Sequence, residues 1–185
     1  MGLRNTPESF GSATKWLHWI IALVMIGASA WAIFLVNQEP NDANRMRYIW
    51  GIQIHKSFGL ALLLLIVARI VWVFSHPRPD VIAATPLQRR LAHVAHWSLY
   101  GLMLLVPLFG WLASSSFGGK TMFFDLFTVP NIWPKDREAI KIFHPLHKYG
   151  SFALLGLAAL HAAAALWHHF VSKDETLRRM LPSRG

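Results

Sequence analysis

The sequence contains no cysteine, and that absence removes several chemistries at once. Disulfide staples, thiolate-held iron–sulfur clusters and covalent porphyrin attachment through C-x-x-C-H all need a sulfur atom from the chain. Charge is scarce as well: 15% of the 185 residues are charged, and nine acidic residues stand against 18 basic ones. With 54% hydrophobic residues and a mean hydropathy of +0.36, the composition excludes an ordinary soluble domain and points to a multi-spanning helical membrane protein. The formal net charge of +9 is not accompanied by a soluble basic domain or a nucleic-acid motif, so no nucleic acid is expected as a partner. Basic residues flanking apolar runs instead act as topology signals and contacts for membrane lipid. There is also no H-E-x-x-H motif, no internal repeat and no low-complexity segment.

What is present is four apolar runs, expected at about 16–36, 49–74, 91–113 and 142–171. Each is long enough to cross a bilayer, which takes about 20 residues. Ala28, Ser29 and Ala30 resemble a signal-peptide cleavage site, but the apolar run continues to Val36, so a retained span is expected. Residues 37–48 and 75–90 are polar or proline-rich connections, and Pro107 and Gly110 are expected to bend the third span. Residues 114–141 form the longest connection, mixing aromatics with Pro and Asn and expected to lie in the interface, with a short surface helix over 135–141. The fold class that follows is an all-α integral membrane protein, a four-transmembrane-helix bundle, with residues 1–185 as a single domain.

Four spans place both termini on one side. Arg4, Lys15, Arg69, Arg78, Arg89, Arg90, Lys173, Arg178, Arg179 and Arg184 belong to that side, ten of the 18 basic residues. The positive-inside rule therefore puts the termini in the cytoplasm.

Five of the ten histidines lie in residues 142–171: His144, His147, His161, His168 and His169. His147 and His161 are 14 residues apart, about 21 Å of helical rise and close to four whole turns, so both leave nearly the same face. A buried stripe of imidazoles in lipid marks a functional site by default. Sorting by depth gives two pairs: His55 with His147 towards the outside, and His18 with His161 towards the cytoplasm. By simple counting His18 lies shallower than His161, a mismatch that an earlier start of the first helix would reduce. Two imidazoles on opposite faces of a porphyrin would saturate a non-covalently held haem iron and make it an electron carrier. Structural zinc wants four clustered ligands, and no such cluster is visible. A proton relay, a haem-free histidine-lined transporter, and plain core or interfacial histidines remain open on spacing alone.

The residues also carry a likeness. T-K-W-L-H-W in the first span, I-Q-I-H-K-S-F-G in the second, R-L-A-H-V-A-H in the third and H-K-Y-G in the fourth belong to it. So do L-H-A-A-A-A-L-W-H-H-F and the tail K-D-E-T-L-R-R-M-L-P. From about Thr14 to Pro182 the chain resembles the bacterial di-haem cytochrome b-561 family. The resemblance implies two haems b held by His18, His55, His147 and His161, with ubiquinone reduced near the cytoplasmic haem. Some members act as superoxide oxidases, and others serve periplasmic redox partners. Two functions from different classes follow: a membrane oxidoreductase of the superoxide:ubiquinone type, and a haem-bearing anchor that relays electrons for a bound periplasmic protein.

Given that resemblance, His168 is the candidate catalytic residue, as quinone contact or proton donor, because a near-neutral imidazole suits proton delivery. His169 is a weaker candidate for the same task. Arg69, a charge inside an apolar run, is expected to pair with a haem propionate. His93 and His96 lie one turn apart, and His96 is taken as the one that reaches a propionate or the quinone pocket. Lys56 and Lys148 follow the outer histidines and are expected at outer propionates or headgroups. Gly59 and Gly150 are expected to leave room for a macrocycle or to pack helices. His76 and His144 receive no role.

Overall fold

Helix propensity and apolar length agree along four stretches, and four long helices form there: α1 (Ser12–Val36), α2 (Arg45–Ser75), α3 (Pro86–Phe117) and α4 (Arg137–Trp167). The structure is a computed structural model, and it describes residues 2–7, 9–77, 79–80, 82 and 85–182. Arg78 and Arg184, counted above on the terminal side, lie outside the described residues. All four helices are long and apolar enough to cross a membrane, and each runs past its apolar run into polar sequence.

The helix ends follow local chemistry. Asp136 caps α4 by accepting from the N–H groups of Glu138 (2.9 Å) and Ala139 (3.2 Å). Thr85 and Gln88 form a reciprocal capping box at α3, followed by Pro86, which satisfies backbone donors that a helix start leaves open. Gly118 ends α3 with φ +75, a left-handed conformation that glycine adopts without a Cβ penalty. For α1 the cap comes from a distance: Asn5 Oδ1 accepts from Gly11 N–H (2.9 Å) and from the Thr14 hydroxyl (2.7 Å). Asn5 Nδ2 also donates to the Pro77 carbonyl (3.0 Å), tying the amino-terminal arm to the end of α2.

Consecutive helices pack closely, α1 on α2, α2 on α3 and α3 on α4. Ile21, Met25, Leu62, Ile66, Leu99, Val106 and Leu154 form the buried core. Large apolar side chains such as Leu23, Leu64, Val71, Leu160 and Phe170 stay exposed on the outer faces, as lipid-facing residues do. Helix α4 is not closely packed against α1 or α2, and its buried residues are Ala139 and Leu154 alone among those described. A seam therefore runs between α4 and the α1–α2 pair.

The connection between α3 and α4 differs from the expectation in two ways. It contains an antiparallel hairpin, β1 (Thr121–Phe123) paired with β2 (Phe127–Val129). Phe124 and Asp125 make its turn with positive φ angles of 47° and 58°. The short surface helix expected over 135–141 is instead the beginning of α4, because Asp136 caps it and the helix continues through Pro145. At the other end, α4 passes into a π-helical turn, His168–Ser172, and the tail ends in a 3-10 turn, Arg178–Met180.

Candidate functional site

The seam is bridged by imidazoles. His18 of α1 and His161 of α4 have ring centroids 6.2 Å apart. His55 of α2 and His147 of α4 have centroids 6.0 Å apart. The structure thus brings together the same partners that depth along the spans suggested. The mismatch feared for His18 is smaller because α1 starts at Ser12, four residues before the apolar run.

In the outer pair each Nδ1 is already engaged. His55 Nδ1 lies 3.2 Å from the Ala28 carbonyl and His147 Nδ1 lies 2.8 Å from the Val106 carbonyl. A carbonyl can only accept, so Nδ1 carries the proton and Nε2 keeps its lone pair for a metal. Gly110 makes this possible: a Cβ there would lie 2.9 Å from the His147 ring.

The spacing itself fits a hexacoordinate metal in a planar macrocycle. An imidazole nitrogen sits about 2.0–2.1 Å from a first-row metal ion, with its ring centroid about 1.1 Å behind, so two such rings stand about 6.3 Å apart. Both pairs match that value. Among the described residues no group of three or more His, Asp or Glu side chains is placed to hold a metal ion, so a bare tetrahedral ion lacks its ligands. A porphyrin, which supplies four nitrogens, needs only the two that each pair offers.

Around the inner pair, Arg69 is half-buried, with Nε donating to the Tyr100 hydroxyl at 3.4 Å and its guanidinium 5.8 Å from that ring. Its Nη1 is buried and has no hydrogen-bond partner among the described residues. An unsatisfied buried guanidinium N–H is costly, and a carboxylate of a bound group would satisfy it. The His96 ring lies 5.4 Å from that of His161, while His93 is exposed on the same helix.

His168 opens the π-helical turn, and its Nδ1 contacts Asp174 Oδ2 at 2.5 Å. Burial acts to raise the Asp174 carboxyl, but hydrogen bonds from Thr176 and His168 outweigh it and hold the group below its ordinary value. The His169 ring meets Phe170 edge-on. His76 stacks on Trp72 with centroids 3.8 Å apart, and His144 is exposed. The Lys148 ammonium lies 5.8 Å from the Tyr149 ring. Gly150 packs α4 against Val106, where a Cβ would approach to 3.0 Å, whereas a Cβ at Gly59 would meet nothing within 4 Å.

Over residues 9–183 the chain matches the family model described as prokaryotic cytochrome b561. The chain belongs to the prokaryotic cytochrome b561 family. It is similar to cytochrome b561 homolog 2 of Escherichia coli K12, with 31% identity over 98% of this chain and 95% of the relative. It shares 33% identity with the probable superoxide oxidase CybB of Yersinia pestis, over 91% of this chain and 93% of that one. Cytochrome b561 homolog 1 of E. coli K12 is 29% identical over 95% and 98% of the two chains. The protein is thus a multi-pass bacterial membrane cytochrome that binds haem b and transfers electrons.

Several residues of this cytochrome's site escaped the sequence reading. Gly110 stood out only as a helix loosener, and Tyr100 not at all. Asp174 was visible within K-D-E-T but carried no role, because the turn that folds it back onto His168 cannot be inferred from periodicity. Gln53 and Ser57, two residues to either side of His55, hold the hairpin. Gln53 bonds the Lys120 carbonyl (2.9 Å) and the Met122 N–H (3.2 Å). The Ser57 hydroxyl bonds the Met122 carbonyl (3.0 Å) and the Phe124 N–H (2.9 Å).

Proposed function

We propose that this cytochrome holds two haems b, the outer between His55 and His147 and the inner between His18 and His161. It transfers electrons from a periplasmic donor to ubiquinone in the inner membrane. The observation that carries this reading is the pair of imidazole pairs, each about 6 Å apart between α4 and the α1–α2 pair. Bound haem supplies one-electron redox chemistry, and the protein sets its position and electrostatics. Arg69 holds an inner propionate through its buried Nη1, His96 flanks the same group, and His168 delivers a proton to the quinone. Residues 1–185 act as one membrane domain with cytoplasmic termini.

The outer donor is superoxide, which makes the protein an oxidoreductase of the superoxide:ubiquinone type. Two things support this. One relative is described as a probable superoxide oxidase. The outer side also carries eight basic residues, Arg45, Arg47, Lys56, Lys120, Lys135, Arg137, Lys141 and Lys148, against Glu39, Asp42, Asp125, Asp136 and Glu138, a field that draws small anions.

A dithionite-reduced minus air-oxidised spectrum, with a pyridine haemochrome count, tests the haem assignment. Two haems b per chain are expected for the native protein. His55→Ala or His147→Ala is expected to leave one, and retention of both by either variant refutes the outer pair. Pulsed superoxide should reduce the native haems; failure to do so removes superoxide as the donor and leaves the electron carrier.

A further inference from the structure

We infer that Asp174 is the positioning residue that makes His168 a directed proton donor to the quinone, an inference that rests on ubiquinone being the acceptor. The chain takes specific steps to bring these two side chains together. On a continued α-helix a residue six places on would point about 120° away from His168. Here the backbone widens into the π-helical turn, and Lys173 turns the chain back with φ 55°. The Asp174 N–H then donates to the His168 carbonyl at 3.1 Å. The carboxylate is fixed at both oxygens, Oδ1 accepting from Thr176 N–H (2.8 Å) and Oδ2 from His168 Nδ1. The tail beyond it is anchored too, with Trp19 Nε1 donating to the Met180 carbonyl (2.9 Å) and Arg179 Nη1 to the Asp80 carbonyl (3.0 Å).

A carboxylate held against Nδ1 fixes the imidazole's tautomer and orientation and leaves Nε2 as the nitrogen that exchanges protons. His168 and Asp174 side chains are 24% and 22% exposed, so water reaches the pair. Other charged and titratable groups lie at the same end of the bundle. Glu175 pairs with Arg178 at 3.0 Å, and Arg179 is held at Asp80 and over Phe10. Lys15 is buried in the first turn of α1 at the same end of the bundle, Lys173 makes the turn, and the His169 ring lies against Phe170.

The balance is simple. Reducing one quinone to quinol takes two electrons, which the outer donor supplies, and two protons. The His168 imidazolium gives one proton from Nε2 to a quinone carbonyl oxygen and becomes neutral, keeping its Nδ1 proton, which it donates in a hydrogen bond to the Asp174 carboxylate. Cytoplasmic water restores the lost proton and supplies the second one.

The test uses full-length haem-loaded protein in lipid nanodiscs. The tautomer of the His168 ring is read by nitrogen NMR with labelled histidine, assigned by comparison with His168→Gln. In parallel, dithionite-reduced protein is mixed with excess decyl-ubiquinone, and its reoxidation is followed from acid to alkaline pH. Asp174→Asn should let the His168 ring populate both tautomers and move the alkaline fall-off of quinone reduction to lower pH. A shift of one pH unit makes reduction about tenfold slower on that limb, with the haem spectrum unchanged. Asp174→Glu should restore the native profile. Quinone reduction by Asp174→Asn with the native pH profile overturns the role of Asp174 and leaves the quinone reading standing. A rate lowered equally at every pH also overturns it, because that marks a purely structural residue. Absence of quinone reduction by the native protein refutes the acceptor itself and this inference with it.

Discussion

At the scale of single residues, the outer histidine pair depends on the absence of one methyl group. His147 donates its Nδ1 proton to Val106 across a close approach of α4 to α3 at Gly110. A Cβ at Gly110 would stand 2.9 Å from both Cε1 and Nδ1 of the ring, and the ring is anchored, so it must tilt or move away as a unit. Overpacking of this kind costs about 1–3 kcal/mol, and a ligand displaced by an ångström no longer faces its partner. Gly110→Ala is therefore expected to purify with close to one haem per chain by pyridine haemochrome, the inner one retained. Gly119→Ala, where a Cβ meets nothing within 4 Å, serves as the control and should keep both. Equal haem content in the two variants would show that the His147 position tolerates the change.

At the scale of elements, the hairpin β1–β2 is held by the side chains that flank His55 along α2. Ser57 is 1% exposed, and its hydroxyl both donates to the Met122 carbonyl and accepts from the Phe124 N–H. Phe124 itself sits at a positive φ that costs a non-glycine residue energy. Ser57→Ala removes both bonds and leaves part-buried backbone groups without them, a loss of about 1 kcal/mol or more. Trypsin should then cut after the exposed Lys120 several times faster than in the native protein, with the helices intact.

The element at the opposite end responds to acid. The Asp174 carboxyl lies below its ordinary value in the folded tail, so the unfolded form of the tail binds the proton more readily. The stabilisation is complete above the ordinary carboxylate value of about 4 and is lost as pH falls through the lower folded value. Hydrogen-exchange protection of the 174–181 amides, corrected for intrinsic rates, should collapse in that acid window. Asp174→Asn should lose this acid dependence, because the group that titrates is gone.

For the molecule as a whole, legibility tracked the range of the interactions. Four spans and the pairing of His18 with His161 and His55 with His147 follow from apolar length and helical rise, which are local and periodic. The hairpin was hidden because its strands are three residues each and its hold on α2 links positions 65–69 apart in sequence. Asp174 was hidden for the same reason, since only a π-helical turn and one left-handed residue bring it to His168.

Direction across the membrane is the property on which the proposed donor and acceptor both depend. If the termini are cytoplasmic, the His55–His147 end faces superoxide and the His168 end faces cytoplasmic protons. If they are external, the two roles exchange ends, and the basic loop side would face the wrong compartment for steering a periplasmic anion. The lack of cysteine makes the question clean, because any maleimide label must come from an introduced residue. Asn131, exposed in the α3–α4 connection, and Ser9, exposed in the amino-terminal arm, lie at opposite ends. In intact spheroplasts a membrane-impermeant maleimide should label Asn131→Cys at once, and Ser9→Cys only after the membrane is opened. The reverse pattern would overturn the orientation and, with it, the assignment of His55–His147 as the pair nearer the periplasmic donor.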